Sequence, residues 1–372
     1  MRQHNIAVIP GDGIGPEVVV EGLKVLQAAA DTGGVALDVV QFPWGCGYWL
    51  EHGHAMPPDA LEILGEFDAI YLGAVGLPGQ VPESVGVQDV VLRIRSGFDE
   101  FANVRPVQPI QGCPWYLSHR SPREVDFVII REATEGFYCN LGGRFTLSAP
   151  EVASILPMRP AFDMSQELAL QTGIFSEYGC RRVIKYAFDL ARERGGKKLV
   201  TSTTKSNALT HAMGMWDEIF EQVASEYPDC GHEWYHVDAL AMRLITNPER
   251  FDVVVAPNLF GDILTDLSAV LVGGLGFAPG GNLSVTGPSM FEPPHGSAPD
   301  IMGKGIANPI AAILTAGFMM ESLGENAVAD TIRKGVAAVV ADGRTLTPDA
   351  GGQATTAEVG DAIVAFLHGK TV

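Results

Sequence analysis

Strands and helices alternate along all 372 residues, which predicts an α/β fold. Three observations carry that expectation. Short β-branched runs such as Ile6-Ala7-Val8-Ile9 and Val253-Val254-Val255-Ala256 suit strands buried on both faces of a parallel sheet. Glycine or proline punctuates the ends of these runs, and apolar residues at helical spacing follow. No internal repeat or low-complexity tract interrupts the alternation. A chain of this length exceeds what one core usually holds, so two domains are expected. An apolar share of 47% with 43 Gly and 24 Pro predicts a folded, turn-rich protein rather than a disordered one. The opening residues lack a signal-peptide apolar core, and no run approaches a membrane span. Five scattered cysteines (46, 113, 139, 180, 230) without zinc-type spacing suggest reduced thiols in a cytoplasmic protein. The formal charge of −19 argues against nucleic acid or an anionic membrane as partner. It also obliges any anionic ligand to find a local basic pocket.

In chain order, Asn5–Pro10 reads as a strand and Gly11-Asp12-Gly13-Ile14-Gly15 as a tight turn. Pro16 at a first helical position and Glu17 beside the positive end of the dipole start a helix with Val19, Leu23, Leu26 and Ala30 as its stripe. Strand, glycine turn and helix can bind a phosphate, but the dinucleotide spacing G-x-G-x-x-G is not met; a structural turn and a ligand loop both stay open. Gly73-Ala74-Val75-Gly76 ends a second strand where a ligand could approach the backbone. Arg93, Arg95 and Arg105 then concentrate between Leu92 and Pro106, and Arg131 follows the strand Asp126–Ile130. Converging guanidinium forks would grip a di- or tricarboxylate. Pairing with Asp99, Glu100 and Glu132 would instead make them ordinary surface arginines.

Glu135–Tyr138 opens a β-rich segment, and the stretch from Arg144 to Phe175, with prolines 150, 157 and 160, reads as an extended arm. A helix follows at 177–194, with Val183, Ala187 and Leu190 on one face. The strand Lys198–Ser202 leads to Lys205, at a strand-to-helix junction where α/β proteins place functional groups. Asp238 enters an apolar helix as an N-cap, a metal carboxylate, or both. Phe251–Ser268 is the stretch of greatest interest: a strand, a break at Pro257, Asn258 and Gly261, then a helix carrying Asp262 and Asp266. Spaced i, i+4, the two carboxylates share a helical face, and their repulsion would cost roughly 0.2–0.5 kcal/mol. A hard divalent cation reverses that sign. Two solvated aspartates are the alternative; Ile263, Leu264 and Leu267 count against it by predicting a largely buried helix. A glycine loop (273, 274, 276), the segments Met290–Asp300 and Gly303–Pro309, and helices at about 310–323, 325–342 and 355–368 complete the chain.

Several of these segments fall in the order of one family: GDGIGPEV at 11–18, R-x9-R-P at 95–106, TSTTKSN at 201–207, VDALAMRL at 237–244, NLFGDILTDL at 258–267 and EPPHGSAPDIMGKGIANP at 292–309. Together they resemble the β-decarboxylating dehydrogenases, which include the isocitrate, 3-isopropylmalate, D-malate and tartrate enzymes, over nearly the whole chain. The resemblance implies the non-Rossmann, isocitrate/isopropylmalate dehydrogenase-like α/β fold. Its large nucleotide-binding domain is discontinuous (1–103 and 255–372) around a small dimerisation and substrate domain (104–254). It also implies a homodimer whose arm near 140–170 pairs with its mate. Carried over residue by residue, it makes Arg95, Arg105 and Arg131 the substrate-carboxylate ligands. Asp262 and Asp266 become metal ligands, joined by Asp238 of the partner subunit. Tyr138 and Lys205 become the catalytic pair, Lys205 also reaching across the dimer and Asp238 able to relay a proton. Ile14, Val75, His295, Gly296, Ser297, Ala298, Asp300 and Asn308 become the cofactor site, where Asp300 would accept a ribose hydroxyl and repel a 2′-phosphate.

The implied cofactors are NAD and Mg²⁺ or Mn²⁺, with a monovalent cation such as K⁺ left open. The implied reaction oxidises a 2-hydroxy acid at C2 by hydride transfer, Lys205 taking the hydroxyl proton. The 3-carboxylate then leaves as CO₂ and Tyr138 protonates C3. Gly73–Gly76, Val104–Val107, Arg131–Gly136 and Thr201–Asn207 point to the D-malate/tartrate branch. The helix Val87–Arg93 departs from it: it lacks that branch's Trp-Gly and has Gln88 where isopropylmalate enzymes carry glutamate. Val91 and Leu92 are placed to face a small alkyl group, so 3-isopropylmalate or another 3-alkylmalate is the alternative. Isocitrate has less support, since no Ser-x-Asn opens that helix. The arm is longer than the family pattern, and Glu177-Tyr178 stand where arginines are common. A non-catalytic regulatory subunit of the same fold is a further class, opposed by the presence of every matched catalytic group. A hydrolase is opposed by the absence of G-x-S-x-G and HExxH.

Overall fold

A ten-stranded mixed sheet runs through the molecule, and its register decides where polar side chains meet. The computed structural model describes residues 2–117, 121–146 and 167–369. Its strands are β1 (Arg2–Gly11), β2 (Val35–Gln41), β3 (Ala69–Ala74), β4 (Ala102–Val107), β5 (Phe127–Glu132), β6 (Gly136–Thr146), β7 (Glu167–Ile174), β8 (Leu199–Thr204), β9 (Gly231–His236), β10 (Val253–Ala256), β11 (Gly281–Leu283) and β12 (Ser289–Phe291). The large sheet has the order β2-β1-β3-β12-β11-β4-β5-β10-β8-β9. Parallel pairing holds β2-β1-β3-β12 and, separately, β5-β10-β8-β9. Antiparallel β11 and β4 join the blocks, which therefore run in opposite directions.

The runs expected to be buried strands are buried: Ile6 to Ile9 and Val253 to Ala256 have no exposed surface, as helices covering both faces require. The helix Gly15–Gly33 starts with Pro16 in its first turn and packs against Ile310–Ser322, Asn326–Asp342 and Thr356–Leu367. Between them lies a core of Val18, Leu26, Ile313, Met319, Val336 and Ile363. A second core of Val183, Phe188, Trp216, Phe220 and Val255 lies beneath Glu177–Arg194 and Thr210–Ser225. Among the described residues no helix is long and apolar enough to cross a membrane.

Three local expectations are corrected. Arg131 stands inside β5 rather than after it, so it belongs to the sheet face. The helix bearing the two aspartates spans Asn258–Ala269 and buries Leu264, but Ile263 is 58% exposed, so burial covers only part of its circumference. His236, not Asp238, takes the N-cap position of Val237–Thr246. Of the expected arm, β6 pairs antiparallel with β7 from Leu141↔Thr172 to Thr146↔Glu167, while 147–166 lie outside the described residues.

Candidate active site

Side chains of directly paired strand residues share a face of the sheet. β11 sets Asn282 against Asn103, β5 sets Arg131 against Asn103, and Arg105 lies two residues beyond Asn103. The register thus lines four polar side chains on one face of the antiparallel junction, all buried. Asn103 Nδ2 donates to Asn282 Oδ1 (2.7 Å), and Asn103 Oδ1 accepts from Arg105 Nε (2.8 Å). Glu292 Oε1 accepts from Asn282 Nδ2 (2.9 Å) and from Arg95 Nη2 (2.6 Å). Arg131 gives its Nε to Asn258 Oδ1 (2.9 Å) and pairs through Nη1 with Asp262.

Arg95, Arg105 and Arg131 are therefore brought together, and Arg93 is not: its Nη2 turns to the carbonyls of Pro57 (3.0 Å) and Pro58 (2.8 Å). The acids expected as surface partners are engaged elsewhere or buried. Asp99 pairs with Arg182 (2.6 Å), and Glu132 accepts from Thr134 and from the Glu135 N–H. Glu100 is fully buried near Arg95, and burial pushes its carboxyl well above the usual range.

Three buried cations destabilise one another. Burial, reinforced by Arg95 and Arg131 against the opposing pull of Glu292, lowers Arg105 to about 10. Burial and Arg95 likewise lower Arg131. Among the described residues Arg105 pairs with no carboxylate, and its buried Nη1 has no hydrogen-bond partner. An incoming carboxylate would relieve that deficit. Against the burial that would raise it, Arg95 and Arg105 hold Glu292 below the ordinary 4.5.

Beside this face, Tyr138 Oη donates to Asp262 Oδ2 at 2.8 Å, and the Arg131 guanidinium lies 5.1 Å from the tyrosine ring centre. Burial and then the Asp262 hydrogen bond raise the phenol pKa, which keeps the proton available for donation. Burial and neighbouring Asp262, against the pull of Arg105, raise Asp266. This incompletely neutralised pair of carboxylates fits a hard divalent cation, which takes oxygen ligands. Among the described residues no group of three or more His, Cys, Asp or Glu forms a cage, so one chain offers this pair and not a third ligand.

Asp238, the third carboxylate of the expected metal set, stands apart from this pair. Asp238 pairs with Lys205 at 3.0 Å, with 68% of the aspartate side chain and 29% of the lysine exposed. The lysine hydrogen bond holds the Asp238 carboxyl below its usual range. Among the described residues no hydrogen bond or ion pair joins Lys205 or Asp238 to Tyr138, Asp262 or Asp266.

A cavity of about 260 Å³ lies on the other side of the glycine turn, lined in part by Ile14, Gly276, His295, Ala298, Asn308 and Asp349. Close backbone approach explains the turn's composition. Gly13 has φ +62°, a Cβ there would fall 2.0 Å from the Ser297 carbonyl oxygen, and Ile14 N–H donates to that same oxygen at 2.9 Å. Glu17 does more than complement the dipole: its carboxylate accepts the N–H groups of Gly303 (2.5 Å) and Gly305 (3.1 Å). His295 Nδ1 faces the Gly296 carbonyl at 3.1 Å and so donates, leaving the buried Nε2 as an acceptor with no partner among the described residues. Burial lowers the imidazole below its ordinary 6.5. Ala298 holds φ +40°, an uncommon conformation for a side-chain-bearing residue. Of the expected cofactor positions, Ile14, His295, Ala298 and Asn308 line the cavity and Ser297 packs beneath Gly13; Val75, Gly296 and Asp300 lie outside its lining.

With this geometry in hand, known proteins give a consistent match. Residues 5–363 match the family described as isocitrate/isopropylmalate dehydrogenase. The chain belongs to that family. It is 45% identical over 371 residues to the "Probable tartrate dehydrogenase/decarboxylase" of Bacillus subtilis, covering 99% of both chains. It is 44% identical over 375 residues to the D-malate dehydrogenase (decarboxylating) of Escherichia coli, again covering 99% of both. The crystal structure of isocitrate dehydrogenase from Methylococcus capsulatus superposes with a TM-score of 0.84 at 35% identity, over 98% of this chain and 99% of that one. The expected α/β fold of the isocitrate/isopropylmalate dehydrogenase type is thus the fold observed.

Sequence reading missed several site residues of this dehydrogenase. Asn103 carried a usable signal, since it stands two residues before Arg105 in a strand that is otherwise apolar. Asn282, in β11, and Asn258, at the start of the aspartate helix, had none beyond their place in loops and short motifs. Asp349 bonds Asn308 Nδ2 at 3.0 Å across 41 positions of sequence, a proximity only the fold creates.

Proposed function

We propose that this dehydrogenase oxidises and decarboxylates a 2-hydroxy dicarboxylate of the D-malate or tartrate type, using NAD and Mg²⁺ or Mn²⁺. The observation that carries the reading is the buried convergence of Arg95, Arg105 and Arg131, with one unpartnered guanidinium nitrogen, beside Tyr138, Asp262 and Asp266. The names of relatives at 44–45% identity support the substrate class.

The chain's own groups divide the work. Arg105 meets a substrate carboxylate first, because its Nη1 has no competitor; Arg95 and Arg131 complete the grip as Glu292 and Asp262 yield. Asp262 and Asp266 hold the divalent cation, with Asp238 of the partner subunit as third carboxylate. When bound, that cation acidifies the substrate hydroxyl and steadies the charge left by decarboxylation, and NAD provides the hydride acceptor. Lys205 of the partner subunit removes the hydroxyl proton. Tyr138, whose raised pKa keeps it protonated, delivers a proton to C3. At the nucleotide end, His295 Nε2 and Asn308 read the adenosine, and the carboxylates of Asp300 and Asp349 disfavour a 2′-phosphate.

A homodimer follows from the division of catalytic groups over two separate clusters. It is supported by exposed apolar residues on the two helices that carry the metal carboxylates, Met242 (65%) and Ile263 (58%). The reading includes domain boundaries near residues 103 and 255, supported by the antiparallel β4 and β11 that join the two parallel blocks of the sheet, and a cytoplasmic setting, supported by five free cysteines. A 3-alkylmalate remains the second substrate class, favoured by half-buried Val91 and Leu92 at the π-helical turn Val87–Leu92. NADH absorbance with Mn²⁺ and a panel of D-malate, tartrates, 3-isopropylmalate and isocitrate tests both. Turnover of D-malate or a tartrate is expected; reduction of NAD by none of the panel would overturn the reading.

A further inference from the structure

One buried carboxylate gathers three backbone N–H groups from two other segments of the chain. Asp12, 6% exposed, accepts through Oδ2 from Cys46 N (2.8 Å) and Gly76 N (2.9 Å), and through Oδ1 from Gly47 N (2.8 Å). Among the described residues it makes no ion pair, so these amides are its counter-charge. Such bonds to an ionised acceptor are stronger than neutral ones.

What lies on each side of Asp12 gives the arrangement a use. On one side is the cavity: Asp12 is followed by Gly13 and Ile14, which pack on Ser297 and line the pocket with His295. On the other side is the segment that delivers Arg95. A Cβ on Gly86 would lie 3.4 Å from Gly76 N and 3.5 Å from Cys46 Sγ, so the two amide-bearing segments form the seat on which Gly86 rests. From Gly86 the chain runs through the π-helical turn Val87–Leu92 into Arg93–Gly97.

We propose that Asp12 is a positioning residue, locking the dinucleotide turn to the segment carrying Arg95 so that cofactor and hydroxy acid are presented in one fixed relation. The proposal rests on the reading of the cavity as the NAD site. Asp12 touches neither reactant; it acts through Ile14 on one side and Gly76 and Cys46 on the other. Asp12→Asn keeps the shape, but its single carbonyl oxygen can serve only part of the three-donor set and its NH₂ group opposes the remaining N–H.

Steady-state kinetics and calorimetric NADH binding on Asp12→Asn test this. The KM values for NAD and for the hydroxy acid are expected to rise together, NADH affinity to fall about tenfold, and kcat at saturation to fall about tenfold because the two reactants are no longer held in register. A lowered melting temperature with an unchanged KM for NAD would reduce Asp12 to a structural brace and overturn the proposal. Should the variant not fold, hydrogen exchange on the unaltered enzyme decides. Addition of NADH should protect peptides spanning 45–48 and 75–78 together, and protection of neither, or of one alone, overturns it. Failure of the NAD reading itself is distinguishable, because the unaltered enzyme would then bind no NADH.

Discussion

The two halves of the catalytic apparatus are built differently. The arginine face is assembled within one chain: Asn103, Asn258, Asn282 and Glu292 hold Arg105, Arg131 and Arg95 in place with almost no solvent access. Lys205, half-buried, and Asp238, exposed, instead pair with each other and, among the described residues, with no other polar side chain. Buried, mutually supporting side chains are pre-organised for a ligand and costly to disturb. A surface ion pair contributes little to folding and is free to be recruited by another surface. The contrast teaches that, on the proposed reading, the single chain pre-organises the substrate-binding half and leaves the proton-transfer group to assembly.

The sharpest way to break that contrast is to remove chemistry from each half. Lys205→Met and Tyr138→Phe should each lower kcat by about 10²–10⁴-fold while melting temperature and circular dichroism stay as in the parent. Full turnover in either variant would strike that residue from its role. Mixing refolded Lys205→Met with Asp262→Asn then tests sharing. If catalytic groups cross between subunits, random assortment leaves one intact site in each mixed dimer and restores about a quarter of parental activity. Activity that stays at the low level of the two single variants would place each site within one chain.

Glu292→Gln probes the buried half alone. It removes the carboxylate that pairs with buried Arg95, a loss of about 3–5 kcal/mol by chemical denaturation. Because Glu292 titrates below its ordinary 4.5, its contribution is fully present above that value and fades as pH falls through the lowered one. A saturating dicarboxylate should recover part of the loss in the variant by taking the place of the missing carboxylate. Asp238→Asn, by contrast, should leave unfolding unchanged. Equal destabilisation by the two substitutions would erase the distinction between the halves.

Much of the architecture was legible because burial leaves a pattern. The β-branched runs became strands, and the Val183–Ala187 stripe became a buried helix face. The i, i+4 aspartates do lie near each other, Asp262 bonding Tyr138 and Asp266 lying within reach of Asp262 and Arg105. Local density misled where direction mattered: Arg93 sits two residues from Arg95, yet one turns to the carbonyls of Pro57 and Pro58 and the other enters the site. Hydrophobicity misled at Ile263, because the sequence does not tell an apolar residue left on the surface from one bound for the core. Partners set by register, such as Asn282 opposite Asn103, or by distant loops, such as Asp349 against Asn308, leave no local trace.

The smallest effect concerns the nucleotide end. His295 is held neutral by burial, with its pKa depressed below 6.5. The unfolded chain therefore binds this proton more readily than the folded one, so folding stability is fully present above about pH 6.5 and declines as pH falls toward the depressed value. The decline cannot exceed about 1.4 kcal/mol per pH unit for a single group. Below the depressed folded-state value Nε2 becomes a donor, and NADH affinity should weaken there if the ring accepts a hydrogen bond from the adenosine. Thermal unfolding and NADH binding between pH 5 and 8 should show both trends in the parent, and His295→Gln should flatten them. An acid limb that persists unchanged in His295→Gln would assign it to the buried carboxylates around Arg95, returning the acid sensitivity to the substrate half of the site.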